Sequence, residues 1–381
     1  MAELLTNTTD LTKVASAIRE KGGTSDSLVY PDGFVTAIQA IQTGTELKII
    51  VTVKSGATVT ATKGSLSVSG TSVNGTCTLT VPEAGTWSVK ATHNGQTSGT
   101  KSVTFTDRYA LSLFFVSAVL NDNDWSKIKS VSDTGQGANY WSVGDRKAVT
   151  LNGTVGHLTL SNYTTYAFII GFNHNAELEG SNRIHFQLAK TALSGGTDVC
   201  FCDDEYAPES EWSRPGAGYF VMNASDTNSG GWKSSQMRTN ICGTSLLSYS
   251  GTIIAVIPAA LRAVLKSVTK YTDNTANGGG STASYVTATT DYFFLLSECE
   301  IYGAVSIGNK NEKNKQAQYA YYSAGNSKIK YKHNRTSVAA LYLLRSPQAG
   351  ASDRFVYINT DDTHNATVAG CSLGFAPGFC V

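Results

Sequence analysis

The sequence has little charge and no excess of either sign. Only 15% of its 381 residues are charged, and 30 Lys and Arg face 29 Asp and Glu, so the formal net charge is +1. A chain this close to neutrality has no broad electrostatic field to attract nucleic acid or an anionic membrane. We therefore expect neither partner, and a surface built mainly from uncharged polar residues.

Long apolar runs are also missing. YALSLFFVSAVL at residues 109–120 is too short to cross a bilayer, and IIAVIPAALRAVL at 253–265 is interrupted by Pro258 and Arg262. The first residues lack the apolar core of a secretory signal. The sequence thus predicts synthesis in a cytoplasm without membrane insertion. Its seven cysteines are then expected to be mostly reduced and buried.

The residue patterns that are present predict an α+β chain in three parts. Leu11, Val14, Ala15 and Ile18 have helical spacing, so residues 1–45 are expected to form two short helices. Helices this short need a partner to cover their apolar faces, and other copies of the chain are the simplest one. A DNA-reading pair of helices is the alternative, but the few basic residues here are balanced by acids.

The second and third parts differ in pattern. Residues 46–108 alternate apolar and polar positions between turns such as Asn74-Gly75, which predicts a small Ig-like β-sandwich acting as a spacer. Residues 109–381 form the largest part, with short strands and long loops. A helix is expected to begin at Pro258 and to continue to Val268 and Lys270.

Few residues have the spacing that catalysis or metal binding needs. His174 and Glu177 are close, but one such pair is a weak metal signal. The acidic run at 203–211 suggests either a calcium site or a solvated loop. Cys299 lies between Glu298 and Glu300, which should raise its pKa rather than create a thiolate. We expect a protein that is not an enzyme and has no cofactor.

Seven segments occur in the order found in one known family. It comprises the C-type-lectin-like, formylglycine-generating-enzyme-like domains of phage tail proteins and of diversity-generating retroelement variable proteins, such as the major tropism determinant. The chain resembles this family over residues 141–381. The segments are WSVGDRKAVTLNG, FIIGFNHNAELEGSNRIHF, GGWKSSQMRTNI, PAALRAVLKSVTK, FFLLSECEIYG, YLLRSP and GFAPGFCV. The first 42 residues also resemble the N-termini of phage tail and neck proteins.

The resemblance implies a ligand-binding hairpin between Pro347 and Gly370. Its polar residues are of the types that retroelement diversification produces, and Arg354, Tyr357, Asn359, Asp361 and His364 are expected to be exposed. The full set of expected ligand-binding residues is Tyr342, Gln348, Ser352, Asp353, Arg354, Tyr357, Asn359, Asp361, Asp362, His364, Asn365 and Thr367.

The resemblance further implies a receptor-binding protein of a virion tail, made in the host cytoplasm and exposed after lysis. The expected partners are a host cell-surface protein or glycan, other phage tail proteins, and further copies of the chain, with a trimer favoured. Three alternatives remain at this point. They are an oxidase of the same superfamily, a variable protein displayed on a bacterial surface, and a structural tail protein that binds no receptor.

Overall fold

The computed structural model describes residues 8–22, 28–29, 32–40, 46–106, 108–202 and 220–381. The chain divides into two compact units, Met1–Phe114 and Phe115–Val381. Strands and short helices mix in the described residues, with more strand than helix, so the α+β class is confirmed. A further boundary at residue 45 stays a prediction. None of the helices in these residues is long and apolar enough to cross a membrane.

The first unit begins with two helices, α1 (Thr8–Gly22) and α2 (Asp32–Ala40), as predicted. They pack against each other through Ala15, Ile18 and Phe34, so part of each apolar face is covered within the chain. Val14 was expected on the covered face of α1, but it is 47% exposed.

Two β-sheets complete the first unit. The first has the order β4-β1-β8, and the second has the order β3-β2-β5-β6 with β7 also paired to β5. Gly70 of the second sheet lies against Cys77 and Leu79 of the first, and the alternating apolar residues are buried, as the period of two predicts. The strands are β1 (Lys48–Thr52), β2 (Thr58–Lys63), β3 (Leu66–Thr71), β4 (Thr76–Thr80), β5 (Gly85–His93), β6 (Gln96–Thr97), β7 (Lys101–Phe105) and β8 (Arg108–Ser112).

The second unit contains many short elements. Its helices are α3 (Trp125–Asp133), α4 (Ala176–Glu179), α5 (Gly231–Ser234), α6 (Ile253–Val256), α7 (Ala259–Arg262), α8 (Glu298–Tyr302) and α9 (Ala320–Ser323), with a π-helical turn at Met237–Cys242 and 3₁₀ turns at Leu120–Asp122, Gly137–Asn139, Ala283–Tyr285 and Lys310–Asn314. Its strands are β9 (Arg146–Val155), β10 (Leu158–Phe172), β11 (Ile184–Lys190), β12 (Val199–Cys200), β13 (Val268–Asp273), β14 (Val286–Asp291), β15 (Phe293–Phe294), β16 (Lys330–Lys332), β17 (Arg335–Ala340), β18 (Tyr342–Pro347), β19 (Arg354–Ile358), β20 (His364–Val368) and β21 (Gly378–Cys380).

An antiparallel sheet of order β15-β21-β11-β10-β9 forms the base of this unit. Strand β21 lies between β11 and β15, where Phe379 packs on Phe186 and Phe293 at 5.3 and 5.2 Å between ring centroids. Trp125 of α3 covers Phe186 edge-on at 5.6 Å. Three smaller sheets, β13-β14, β12-β16-β17 and β18-β19-β20, complete the unit.

The helix expected from Pro258 to Lys270 is wrong in its length. Helix α7 ends at Arg262, and residues 268–273 form strand β13, paired with β14 over six consecutive residue pairs. The segment VTKYTD is rich in β-branched and aromatic residues, which favour a strand. Lys270 therefore lies in a strand and is fully buried, not at a helix end.

Candidate ligand-binding site

A fully buried ionic cluster lies beneath the last hairpin. Lys270 on β13 donates from Nζ to Glu179 Oε2 at 2.6 Å, to Glu300 Oε1 at 2.8 Å and to the Tyr319 hydroxyl at 2.8 Å. Arg345 on β18 makes a two-pronged pair with Glu300, including a 2.9 Å bond from Nη2 to Oε1. Two cations thus face two carboxylates, and this charge balance is what makes their burial tolerable. We call these five residues the frame.

Charge pairing in the frame gives its two acids different ionisation. Burial opposes ionisation of Glu300, but Arg345 and Lys270 outweigh it and hold the pKa of Glu300 well below its ordinary value. Glu179 contacts only one of the cations. Burial therefore dominates there and raises the pKa of Glu179 to about 7, with Lys270 opposing it.

Three potential metal ligands meet at this cluster. Ligand atoms of His174, Glu179 and Glu300 lie within 4.8 Å of one another. The Lys270 ammonium already bridges the two carboxylates. Burial lowers the pKa of His174 to about 3, and its ring stacks on Tyr319 at 3.8 Å. We interpret this set as an ion-paired core in which an ammonium provides the cation. Glu177, the partner that the sequence suggested for His174, is exposed instead.

A further buried acid, Glu298, holds backbone around the frame. Glu298 accepts the amides of Ser306, Ile307 and Gly308, and His364 Nε2 lies 3.0 Å from its Oε1. Burial works against ionisation of Glu298, but these hydrogen bonds outweigh it and lower its pKa to about 2. Its carboxylate thus joins α8 to the loop at residues 306–308 and to His364 of β20.

The other acid of α8, Glu300, acts at the start of its own helix. Glu300 forms a capping box with Ser297 at the start of the helix. Its carboxylate therefore both caps α8 and pairs with Arg345 of the frame.

The candidate residues of the hairpin do not form one exposed face. Strand β19 is the middle strand of β18-β19-β20, and residues 355–358 are buried. The expected exposure of Tyr357 is therefore wrong, since it is 2% exposed, and Tyr342 and Thr367 are each 1% exposed. Ser352, Arg354, Asp361 and Asn365 are exposed, while Gln348, Asp353, Asn359, Asp362 and His364 are half-buried.

Exposed candidates cluster at the two ends of β19. At one end Asp362 has a left-handed backbone with φ of 71°, and its carboxylate binds the backbone amide of Lys328 at 2.7 Å. His364 stacks on Tyr302 at 4.2 Å beside Glu298. This end is therefore tied to neighbouring elements through its own side chains.

The other end of β19 is held differently, through a buried asparagine. Asn228 Nδ2 donates to the carbonyls of Ala351 and Arg354 at 2.8 and 3.0 Å, and its Oδ1 accepts the amide of Asn277 at 2.8 Å. One side chain thus joins three loops, 224–230, 275–282 and 348–354, which we call the platform. Its bonds go to backbone and do not involve the side chains of Ser352 and Arg354, which are exposed; Arg354 Nε lies 3.7 Å from Oδ1 of its neighbour Asp353.

Additional backbone contacts fix the platform. Gly278 donates to Ala351 O at 2.9 Å, and Gly350 donates to Gly279 O at 2.8 Å. A Cβ at Gly231 would lie 1.9 Å from the carbonyl oxygen of Asp273, so only glycine allows the first loop to approach β13 this closely. The loop at 275–282, which contains Gly278, Gly279 and Gly280, is therefore a paired element of the platform.

Sequence reasoning found some of these roles and missed others. Arg238 of the segment GGWKSSQMRTNI is paired internally, with Nε 2.6 Å from Asp291 Oδ1. All seven cysteines are buried and none is in a disulfide, and burial raises the pKa of Cys299 to about 12. The frame and Asn228 were missed, although charged residues inside apolar runs such as LYLLRSP were a signal. The acidic run at 203–211 lies outside the described residues.

Comparison with known proteins gives one match. Residues 219–381, less than half of the chain, match the model of a family described as a domain of unknown function (DUF6273). The matched region includes the whole platform and the hairpin, but not His174 or Glu179. Searches of curated proteins and of solved structures gave no match.

Proposed function

We propose that the chain is a non-enzymatic adhesin, a phage tail receptor-binding protein whose C-terminal part is a C-type-lectin-like domain. The preceding sheets act as an Ig-like spacer, and the helical segment attaches the chain to other tail proteins and to copies of itself. The ligand is a protein or glycan on a bacterial surface. This proposal combines the sequence resemblance with the geometry of the hairpin.

The observation that carries the proposal is the platform itself. Its three loops are joined by the Asn228 side chain, which bonds to their backbone groups, and they display Ser352 and Arg354 at the surface. Preorganised loops lose little conformational entropy when they bind, so their contacts contribute more to affinity. Arginine is also among the residues that most often dominate binding energy.

The buried frame also supports the proposed function. Its charged groups are paired with each other and fully buried, so they hold the hairpin rather than face a substrate. A scaffold of this kind lets side chains on the platform change without loss of the fold. Several copies on one tail then raise a weak single-site affinity by about 10²–10⁴ where the geometry allows.

Adsorption to bacteria tests this function. We would label the full chain, measure its binding to a panel of bacterial strains, and compare the variant Ser352→Ala/Arg354→Ala. Loss of an arginine anchor costs about 2 kcal/mol, so adsorption should weaken roughly 30-fold. Both residues are exposed, so unfolding free energy should change by less than about 0.5 kcal/mol.

A matched control makes the same chemical change elsewhere. Ser67→Ala/Arg108→Ala removes one exposed serine and one exposed arginine from the first unit and should leave adsorption intact. If both variants adsorbed equally well, the platform would not be the binding site. If the unaltered chain binds no strain but is found in purified virions, the structural tail protein is favoured. Detection on intact bacteria would instead favour the surface-displayed variable protein.

Diversification is tested in the genome. A reverse transcriptase gene beside a near-copy of the segment encoding residues 348–373 would establish it. Substitutions should then fall at the exposed positions, Ser352, Arg354, Asp361 and Asn365. They should spare buried Tyr357 and Thr367. A template repeat that varies the buried positions instead would contradict the assignment of the exposed ones to ligand contact.

A further inference from the structure

A cavity of about 390 Å³ lies in the second unit, outside the region that matches the family model. Its two sides are residues 118–121 and 193–195, and its base is residues 144–146. It shares no residue with the platform or with the last hairpin. The volume is in the range of cavities that bind small molecules. The proposed function does not use this cavity.

Two polar side chains of the cavity are each held by one of their polar atoms. Asn121 Oδ1 accepts the amide of Ala148 at 2.9 Å. Asp145 Oδ2 accepts the amide of Ser142 at 2.8 Å. Each of these bonds needs an oxygen at the backbone amide, so the second polar atom of each side chain points elsewhere. The orientation of both groups is therefore set before a ligand enters.

The guanidinium of Arg146 is held in the same partial way. Its Nη1 donates to the carbonyls of Ala192 and Gly195 at 2.7 and 2.6 Å. These bonds fix one side of the cavity and use both hydrogens of Nη1. Residues 193–195 are exposed, so the cavity opens to solvent on this side.

The remaining polar atoms of these three side chains are available to a ligand. Within the described part of the chain they bond only through the atoms given above, which leaves Asn121 Nδ2, Asp145 Oδ1 and the Nε and Nη2 of Arg146. The cavity thus offers one acceptor and two groups of donors. Val119 and Leu193 add apolar surface to its sides.

This set of groups selects among ligands by charge. A net anion would meet the carboxylate of Asp145, and a net cation would meet Arg146, so an excess of either sign is disfavoured. A zwitterion could face both residues. Both are half-buried, however, so solvent screens the attraction, while the two ligand charges must still lose water. A hydroxyl group costs less to desolvate and can both donate and accept.

We propose that this cavity binds one unit of an uncharged saccharide. Sugar hydroxyls accept hydrogen bonds from Asn121 and Arg146 and donate one to Asp145, and the C–H face of the ring packs on Val119 and Leu193. Polar groups that are already oriented lose little freedom on binding. The cavity is a second site, and its role does not depend on receptor binding by the platform.

Ligand-detected NMR on the full chain tests the class of ligand. The probes are D-glucose, D-galactose, D-mannose and N-acetyl-D-glucosamine at millimolar concentration, with glycine and L-alanine as zwitterions. At least one sugar should show saturable binding, and the amino acids should show none. Absence of saturable binding by all four sugars would overturn the proposal. Binding of the amino acids alone would replace the saccharide with a zwitterion.

Asp145→Asn tests the position of the site. The Ser142 amide needs an acceptor, so the new side chain keeps its oxygen there and turns an NH₂ group into the cavity. An acceptor thus becomes a donor, and sugar affinity should fall about tenfold or more. Asp361→Asn is the matched control, because Asp361 is an exposed acid outside the cavity that also accepts a backbone amide. It should leave sugar affinity unchanged.

Ser194→Tyr provides a second variant that leaves these hydrogen bonds in place. Ser194 is exposed at the side of the cavity, so the larger side chain should fill the cavity, abolish sugar binding and leave the melting temperature unchanged. Full affinity in both Asp145→Asn and Ser194→Tyr would overturn the cavity as the sugar site. Loss of sugar binding in Ser352→Ala/Arg354→Ala, with full affinity in the cavity variants, would assign the sugar to the platform instead.

Discussion

The frame and the platform are held together by different kinds of contact. In the frame, charged side chains pair with each other. In the platform, the Asn228 side chain bonds to backbone carbonyls and to a backbone amide. The frame therefore uses five side chains for folding, whereas the platform uses the buried side chain of Asn228 and keeps Ser352 and Arg354 exposed. Substitutions in the frame should therefore lower the free energy of unfolding strongly, and substitutions on the surface of the platform should change it little.

The largest expected effect is in the frame. Arg345→Met removes one cation and leaves Glu300 with Lys270 as its remaining buried cation, so the free energy of unfolding should fall by about 3–5 kcal/mol. Arg354→Met is the matched control, because Arg354 is exposed on the neighbouring strand and should change stability by less than about 0.5 kcal/mol. Chemical denaturation of both variants measures the difference. If the two variants lost similar amounts of unfolding free energy, the frame and the platform would not differ in their tolerance of substitution.

A second prediction compares the loss of stability at a buried and at an exposed position of the hairpin. Tyr357 and Asn365 face each other across β19 and β20, but Tyr357 is 2% exposed and Asn365 is exposed. Tyr357→Ala should cost about 3 kcal/mol, because it leaves a cavity in a packed core. Asn365→Ala should cost less than about 0.5 kcal/mol. Thermal melts that rank these variants in the reverse order would contradict the burial of β19.

A third effect compares a buried lysine that makes hydrogen bonds with one whose ammonium faces the rings of Tyr342 and Phe168, at 5.3 and 5.9 Å. Lys330 is fully buried, and its Nζ has no hydrogen-bond partner in the described part of the chain, whereas Lys270 has three. Burial lowers the pKa of Lys330 to about 8 from 10.5. Between these two values the unfolded chain binds a proton that the folded chain does not, so stability should rise as the pH increases from 8 to 10.5.

Lys330→Met removes this charge and should stabilise the protein at pH 7 by at most about 3 kcal/mol. It should also flatten the rise in stability above pH 8. Lys332→Met, two residues along the same strand, serves as the comparison. Denaturation at pH 7, 8, 9 and 10 provides the measurement. Destabilisation by Lys330→Met at pH 7 would mean that this amine has a favourable partner.

Sequence patterns predicted the fold where one face of an element meets solvent. The sheets of residues 48–112 alternate buried and exposed positions, so their period of two is visible. Strand β19 was misread because a middle strand covered on both faces has no alternation. The segment after α7 was misread because its apolar residues fit a helix until their pairing with β14 is known.

The hairpin that carries the candidate residues was predictable from the sequence, but the contacts that hold it were not. The flanking motifs placed the candidate residues in the hairpin, and the exposed residues are among those expected. The partners in the frame are far apart in the sequence, however: Glu179 is 91 residues from Lys270, and Arg345 is 45 residues from Glu300. Asn228 is 126 residues from Arg354. No local pattern records such pairings, because they form only when the chain is folded.

The smallest expected change in stability, and the sharpest test of the platform, is at Asn228. Asn228→Ala leaves the carbonyls of Ala351 and Arg354 and the amide of Asn277 without this partner, which should cost about 1–3 kcal/mol. The loss is local, so amide exchange at Gly278 and Gly350 should accelerate while the core strands stay protected. Adsorption should weaken although no exposed side chain has changed, because the loops must then be ordered on binding. Ser229→Ala, an exposed neighbour on the same loop, should alter none of these quantities. Unchanged exchange at Gly278 and Gly350 in Asn228→Ala would show that the backbone contacts alone hold the loops, and Asn228 would then lose its role as the residue that positions the platform.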